Sequence, residues 1–157
     1  TLFAFVNAIE ARDPYTQQHS SRVAGISVKI GGELNCSAEE LDILNFAGQL
    51  HDIGKIGIRD AILLKPGKLT DEKFDVIRSH PVIGANIIEQ LGLWDREKII
   101  IRHHHERFDG NGYPDKLKRE EIPFLARIMS VADVYDAMAS DRAYRKKDGC
   151  QKDSWNN

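Results

Sequence analysis

His19, Val23, Ile26 and Ile30 step along the chain by four, three and four, so a histidine continues the apolar stripe of a helix that starts near Gln17. The pattern recurs: His51 shares a helical face with Leu44 and Ala47, and Asp133 falls four residues after Met129 and eight after Leu125. A fold that turns these stripes inward must bury imidazoles and a carboxylate together, and an unpaired buried carboxylate is too costly to be incidental. The chain therefore cannot be a plain aliphatic bundle. Something at its centre has to be shared by polar groups.

The rest of the chain supplies the helices. Residues 2–12 carry helical apolar spacing and stop before Asp13-Pro14. Ser37-Ala38-Glu39-Glu40 reads as a capping box that opens a third helix. Gly54, Gly57, Pro66 and Gly67 predict a loop, which ends where Thr70, followed by Asp71 and Glu72, caps a helix running toward His80. Pro81 marks a joint. Segments 82–91 and 95–105 predict two more helices, and 123–139 a long one with Pro123 in its first turn. No useful period-2 alternation occurs, so the expectation is all-α, with six or seven helices and no sheet, repeat or linker. At 157 residues and 41% hydrophobic, the chain suits one compact domain.

Charge and apolar runs narrow the function. A formal net charge of −2 with interleaved signs offers no basic stripe for a DNA or RNA polymer, so an anionic substrate must be held locally. No apolar run reaches membrane-spanning length and the first residues lack a secretory signal, which predicts a cytoplasmic location. Cys36 and Cys150 stand far apart, outside any metal-type spacing, and are read as bystander thiols.

His103 to Asp115 reads HHHERFDGNGYPD, with three of the chain's six histidines side by side. Helical residues rotate by about 100° each, so at most two of the three can converge: His104, four after Ile100 and three after Ile101, with either neighbour second. The HExxH motif fails, because Asp109 stands where its second histidine belongs. One histidine on an apolar face is usually a satisfied core residue. Here His19, adjacent His51-Asp52, His80 at the proline joint, a histidine pair and Asp133 make seven N and O donors. That mixture suits Fe, Mn, Ni, Co or Zn rather than Ca or Mg, and seven are too many for one ion.

HDIGK (51–55), RSHP (78–81), HHHERFDGNGYPD (103–115), ARIMSVADVYDAM (126–138) and SDRAYRK (140–146) together resemble the HD-GYP subgroup of the HD phosphohydrolase superfamily, in order and from about Leu2 to Lys146. The resemblance implies an HD-domain helical bundle with a buried binuclear or trinuclear metal centre that hydrolyses cyclic di-GMP to pGpG, with GMP from a further cut. It implies the metal ligands His19, His51, Asp52, His80, His104, His105 and Asp133, and leaves His103 outside the ligand set. Gly110, Gly112, Tyr113 and Pro114 become a loop at the rim of the substrate cleft, and Lys55, Arg142 and Arg145 match phosphate-contacting positions. Asp13 and Glu106 resemble partners that orient ligand imidazoles. Asp52 would bridge two ions, and Lys55 would neutralise charge developing on the phosphoryl oxygens.

Two features depart from the family pattern. KKDGCQKDSWNN is polar and unpatterned where members continue into further helices, and the chain starts inside a helix without a methionine. The expectation is an HD-GYP domain over 1–146 and a tail over 147–157, with the closing C-terminal helices missing, in a fragment of a larger protein that carries a sensory or receiver domain. Tyr15 stands where trinuclear members carry an acidic residue, four before the first histidine ligand, so two divalent transition-metal ions are expected, iron foremost. A catalytically weak cyclic-dinucleotide-binding module and an HD-type di-iron oxygenase remain the alternatives.

Overall fold

The computed structural model describes residues 18–65, 68–92 and 95–147, with side chains as far as residue 139. Seven α-helices occupy them: α1 (His19–Glu33), α2 (Ala38–Leu50), α3 (Asp60–Leu63), α4 (Asp71–Arg78), α5 (His80–Gln90), α6 (Asp95–His103) and α7 (Phe124–Lys147). Two 3-10 turns, Ile53–Gly57 and Arg119–Glu121, complete the regular structure, and no strand occurs among the described residues. The helix expected over 2–12, Asp13 and Tyr15 lie outside them, as does the tail beyond Lys147. No described helix is long and apolar enough to cross a membrane.

Local chemistry explains most boundaries. Ser37 closes the expected capping box at α2: its hydroxyl accepts from the Glu40 amide at 3.2 Å, and Glu40 Oε2 accepts from the Ser37 amide at 2.9 Å. Thr70 holds the N-cap position of α4 without a side-chain cap bond. Only Ser79 separates α4 from α5, where Pro81 sits in the first turn and loses no hydrogen bond. The loop expected from Gly54 to Gly67 instead contains the Ile53–Gly57 turn and the single-turn α3. Gly54 shows why: a Cβ there would land on the His80 carbonyl oxygen and 2.6 Å from the Gly84 amide, so backbone packs on backbone and must coil tightly to satisfy its own groups. The last helix outruns the expected 139 because its apolar stripe ends while good helix formers continue.

α1 pairs with α2, α7 lies against α1, and α5 packs on α6 and on the Ile53–Gly57 turn. Val23, Leu44, Ala47, Ile100, Ala126 and Met129 belong to one buried cluster; Leu50, Ile53, Ile88 and Ile101 form a second. Each fully buried Leu or Ile contributes about 1.5–3 kcal/mol from its removal from water. Leu50 precedes His51, and Ile100 and Ile101 precede His104, so the polar centre grows directly from the packed aliphatic layers. On the opposite side α7 leaves Val131, Val134, Tyr135 and Met138 more than half exposed.

Candidate metal centre

Three imidazoles are set by the main chain. His51 at the end of α2, His80 at the start of α5 and His104 just past α6 each place Nδ1 2.7–2.8 Å from the carbonyl three residues earlier: Gly48, Ile77 and Ile101. A carbonyl can only accept, so each Nδ1 carries the proton and each Nε2 presents a lone pair. His80 Nε2 and His104 Nε2 are buried with no hydrogen-bond partner. Unsatisfied buried acceptors cost about 1–3 kcal/mol each, and lone pairs converging in this way are what a cation takes. Burial pushes the His80 and His104 pKa values below the ordinary range, and His105, lowered by burial and then by His80, falls to about 4. These rings stay neutral, the form that binds metal.

His105 joins them through a departure from helical geometry. α6 ends at His103, and the turn that follows, in which the Glu106 amide donates to the His103 carbonyl at 2.9 Å, brings two adjacent rings to the same side. The His104 and His105 ring centres lie 4.1 Å apart. A continuous helix over 95–105 would have turned them roughly 100° from each other.

Asp52 stands between the histidine groups. Its Oδ2 lies 3.4 Å from His51 Nε2 and 2.7 Å from Lys55 Nζ, and its Oδ1 lies 3.4 Å from His80 Nε2. Burial raises its pKa, but Lys55, His51 and His80 outweigh burial and hold the carboxyl well below the usual range. His19 Nε2 lies 3.2 Å from Asp133 Oδ1, and His19 Nδ1 lies 2.8 Å from Asp136 Oδ2. Burial lowers the His19 pKa, yet the hydrogen bonds to Asp133 and Asp136 prevail and raise it to about 9. Arg22 in turn grips Asp136 with two hydrogen bonds, at 2.7 and 2.9 Å.

The donors form three overlapping groups, each with its ligand atoms within 4.8 Å of one another: His80, His104 and His105; His51, Asp52 and His104; His19, His51 and Asp133. All seven expected donors therefore meet in one cluster. Its two ends are separate triads, with Asp52 in the middle. The donor chemistry and the two orphaned Nε2 atoms fit divalent transition-metal ions, and the cluster can hold more than one.

The loop after α6 is fastened to this segment at several points. The Tyr113 amide donates to the His105 carbonyl at 3.2 Å, and a Cβ on Gly112 would sit 2.6 Å from Glu106 Cα, so only glycine permits that approach. The Tyr113–Pro114 peptide is cis, and the Tyr113 ring lies 4.9 Å from that of His105. Burial, then Asp133 and Asp52, push the Tyr113 pKa up to about 12, which keeps the phenol neutral. Asp115 accepts two hydrogen bonds from Arg102, at 2.7 and 2.8 Å, and lies 2.9 Å from His103 Nε2. His103 thus ties down the loop. Glu106 differs from its expected role of orienting an imidazole: its two oxygens accept from the Asp115 and Leu117 amides, at 2.7 and 3.1 Å. Arg142 and Arg145 lie on α7 where side chains are not described, so neither is placed relative to the cleft.

A family model described as an HD domain matches residues 4–153. The chain belongs to the HD domain family. Over 148 residues this HD domain is 43% identical to the cyclic di-GMP phosphodiesterase response regulator RpfG of Xanthomonas campestris, covering 93% of this chain and 39% of that protein. Over 138 residues it is 45% identical to a cyclic di-GMP phosphodiesterase of Thermotoga maritima, covering 87% and 38%. A 3'3'-cGAMP-specific phosphodiesterase of Vibrio cholerae is 36% identical over 146 residues, covering 92% and 28%. The chain thus spans well under half the length of these relatives. The solved structure of a cyclic GMP-AMP specific phosphodiesterase of V. cholerae matches with a TM-score of 0.66 at 19% identity, over 92% of this chain and 43% of that one, a likeness of fold.

Sequence reasoning missed two supports of the HD domain's centre. Asp136 orients His19, and Arg22 fixes Asp136 across 114 residues. The signal was faint but present: Asp136 follows Asp133 by three, as Arg22 follows His19, so each lies beside a donor on its own helix face.

Proposed function

We propose that this HD domain is a metal-dependent phosphodiesterase that opens cyclic di-GMP to linear pGpG, with GMP as the product of a further cut. The observation that carries the reading is the pair of buried Nε2 lone pairs without partners inside a seven-donor cluster whose central carboxylate is paired with a lysine. Divalent ions, when bound, supply the positive charge that holds phosphate oxygens and acidifies a water. The chain's own part is to keep His80, His104 and His105 neutral, to aim them and His51 at the cluster, to keep Asp52 and Asp133 ionised, and to hold Lys55 beside Asp52. There its ammonium offsets charge that develops on the phosphoryl oxygens. Tyr113 closes one side of the cluster as a neutral phenol, and Gly112, Tyr113 and Pro114 form the substrate-facing rim.

Two ions per chain, iron foremost, are the matching stoichiometry, with Tyr15 leaving a third without a carboxylate. A receiver or sensory domain elsewhere in a longer cytoplasmic protein fits the short span of this chain on its relatives. The test is to load the protein with iron or manganese under anaerobic conditions, count the ions, and incubate it with cyclic di-GMP and separately with 3'3'-cGAMP, with and without oxygen. Two ions and pGpG in both atmospheres are expected. Absence of any linear product at full metal occupancy overturns the hydrolase reading, and a product that needs oxygen points to an oxygenase. A faster reaction with 3'3'-cGAMP reassigns the substrate.

A further inference from the structure

A row of planar groups leads from the metal cluster to the surface. His105 stacks near Tyr113, with ring centres 4.9 Å apart and planes 32° from parallel. The Arg78 guanidinium lies 5.7 Å from the Tyr113 ring centre and 4.5 Å from that of Phe74. Phe74 is 43% exposed, and nearly half of the Arg78 side chain also reaches solvent. Arg78 Nη1 donates to Asp75 Oδ1 at 3.0 Å, while Nε and Nη2 carry no hydrogen-bond partner among the described residues. An arginine oriented by one carboxylate, lying beside two aromatic rings and keeping three N–H donors, is more ordered than a solvated surface charge needs to be.

We propose that Arg78, with Phe74 and Tyr113, forms a purine-binding subsite that makes the cleft prefer guanine over adenine. The inference rests on the cyclic-dinucleotide reading above and assigns a residue that sets its base selectivity. A purine stacks on an exposed aromatic face, whether it is guanine or adenine, because every base has a π-face. The free edge of a guanidinium offers donors only. Guanine answers with two acceptors, O6 and N7, whereas adenine sets its N6 amino group, itself a donor, against the same edge. Lysine at this position would keep the charge and lose the planar fork.

The experiment uses metal-loaded protein with cyclic di-GMP, 3'3'-cGAMP and cyclic di-AMP, reading Kd by calorimetry and KM and kcat by product formation. Parent, Arg78→Lys and Phe74→Ala are compared at matched metal content and melting temperature. The parent should favour cyclic di-GMP. Arg78→Lys should raise Kd and KM for cyclic di-GMP about tenfold, with a much smaller change in kcat, and shrink the guanine-over-adenine ratio toward one. Phe74→Ala should weaken all three dinucleotides. Unchanged Kd and unchanged ratio in both variants overturn the subsite, as does an equal loss for all three dinucleotides in Arg78→Lys. Weakened binding of cyclic di-GMP in both variants, with a parent that binds it but never cleaves it, leaves the subsite standing and removes the hydrolase reading instead.

Discussion

Replacing Glu106 with glutamine tests whether the loop carrying Tyr113 is held by one buried carboxylate. The side chain is 3% exposed and accepts from two backbone amides, one through each oxygen. Glutamine keeps a single acceptor of nearly the same shape and turns an NH2 group toward the other amide. One N–H is then left unsatisfied at about 1–3 kcal/mol, and the surviving bond loses its charge assistance at about 1 kcal/mol more. The sum, about 2–4 kcal/mol, is a large share of the stability of a domain this size. Spread over global unfolding, it lowers Tm by on the order of 10 °C. If the loop opens on its own, the Asp115 and Leu117 amides should exchange with solvent about 30- to 700-fold faster while the α2 amides keep their rates. Hydrogen exchange followed by mass spectrometry or NMR separates the two outcomes. Parent-like Tm together with parent-like exchange at both amides would refute the assignment of Glu106 as the loop's anchor.

Asp52→Ala and His51→Ala should each bind less metal than the parent when assayed by elemental analysis, and parent stoichiometry in Asp52→Ala removes its bridging role. Lys55→Ala should keep its metal yet lose about 100-fold or more in kcat/KM for cyclic di-GMP, the scale of one preorganised charge contact, and equal activity would make Lys55 a surface charge. In metal-stripped protein, His19 binds its proton more tightly folded, at about 9, than unfolded, at about 6.5. Its contribution is complete below pH 6.5 and is lost as pH rises through about 9, so Tm of the stripped protein should fall across that window. His19→Gln should flatten the profile, and an unchanged slope would contradict the His19 pairing.

The sequence revealed the longer helices among the described residues and which polar residues sit on their inner faces, because His19, His51 and Asp133 interrupt stripes whose period needs no tertiary knowledge. It left His103 and His105 undecided as companions of His104, since the answer depends on α6 stopping at His103, and no glycine or proline marks that stop. The Ile53–Gly57 turn was hidden for the opposite reason: its glycines read as loop punctuation, whereas Gly54 is required by contact with α5. Glu106 finds its partners in backbone amides nine and eleven residues on, and Asp136 finds its own in an arginine 114 residues away. A side chain's identity does not announce such partners, and only the packed fold supplies them.

Three of the candidate donors answer to carbonyls of their own helices or turns, and a carbonyl is present whatever residue occupies the position. Substitutions at positions 48, 77 and 101 can disturb packing but cannot delete the acceptor that fixes His51, His80 and His104. His19 is different, because its outer nitrogen depends on the Asp136 carboxylate and, through it, on Arg22. The donors are therefore unequal in heritable terms. His51, His80 and His104 are buffered against point mutation by the backbone itself, whereas for His19 a single nucleotide change in the codon for Asp136 or Arg22 can retune how strongly an ion is held.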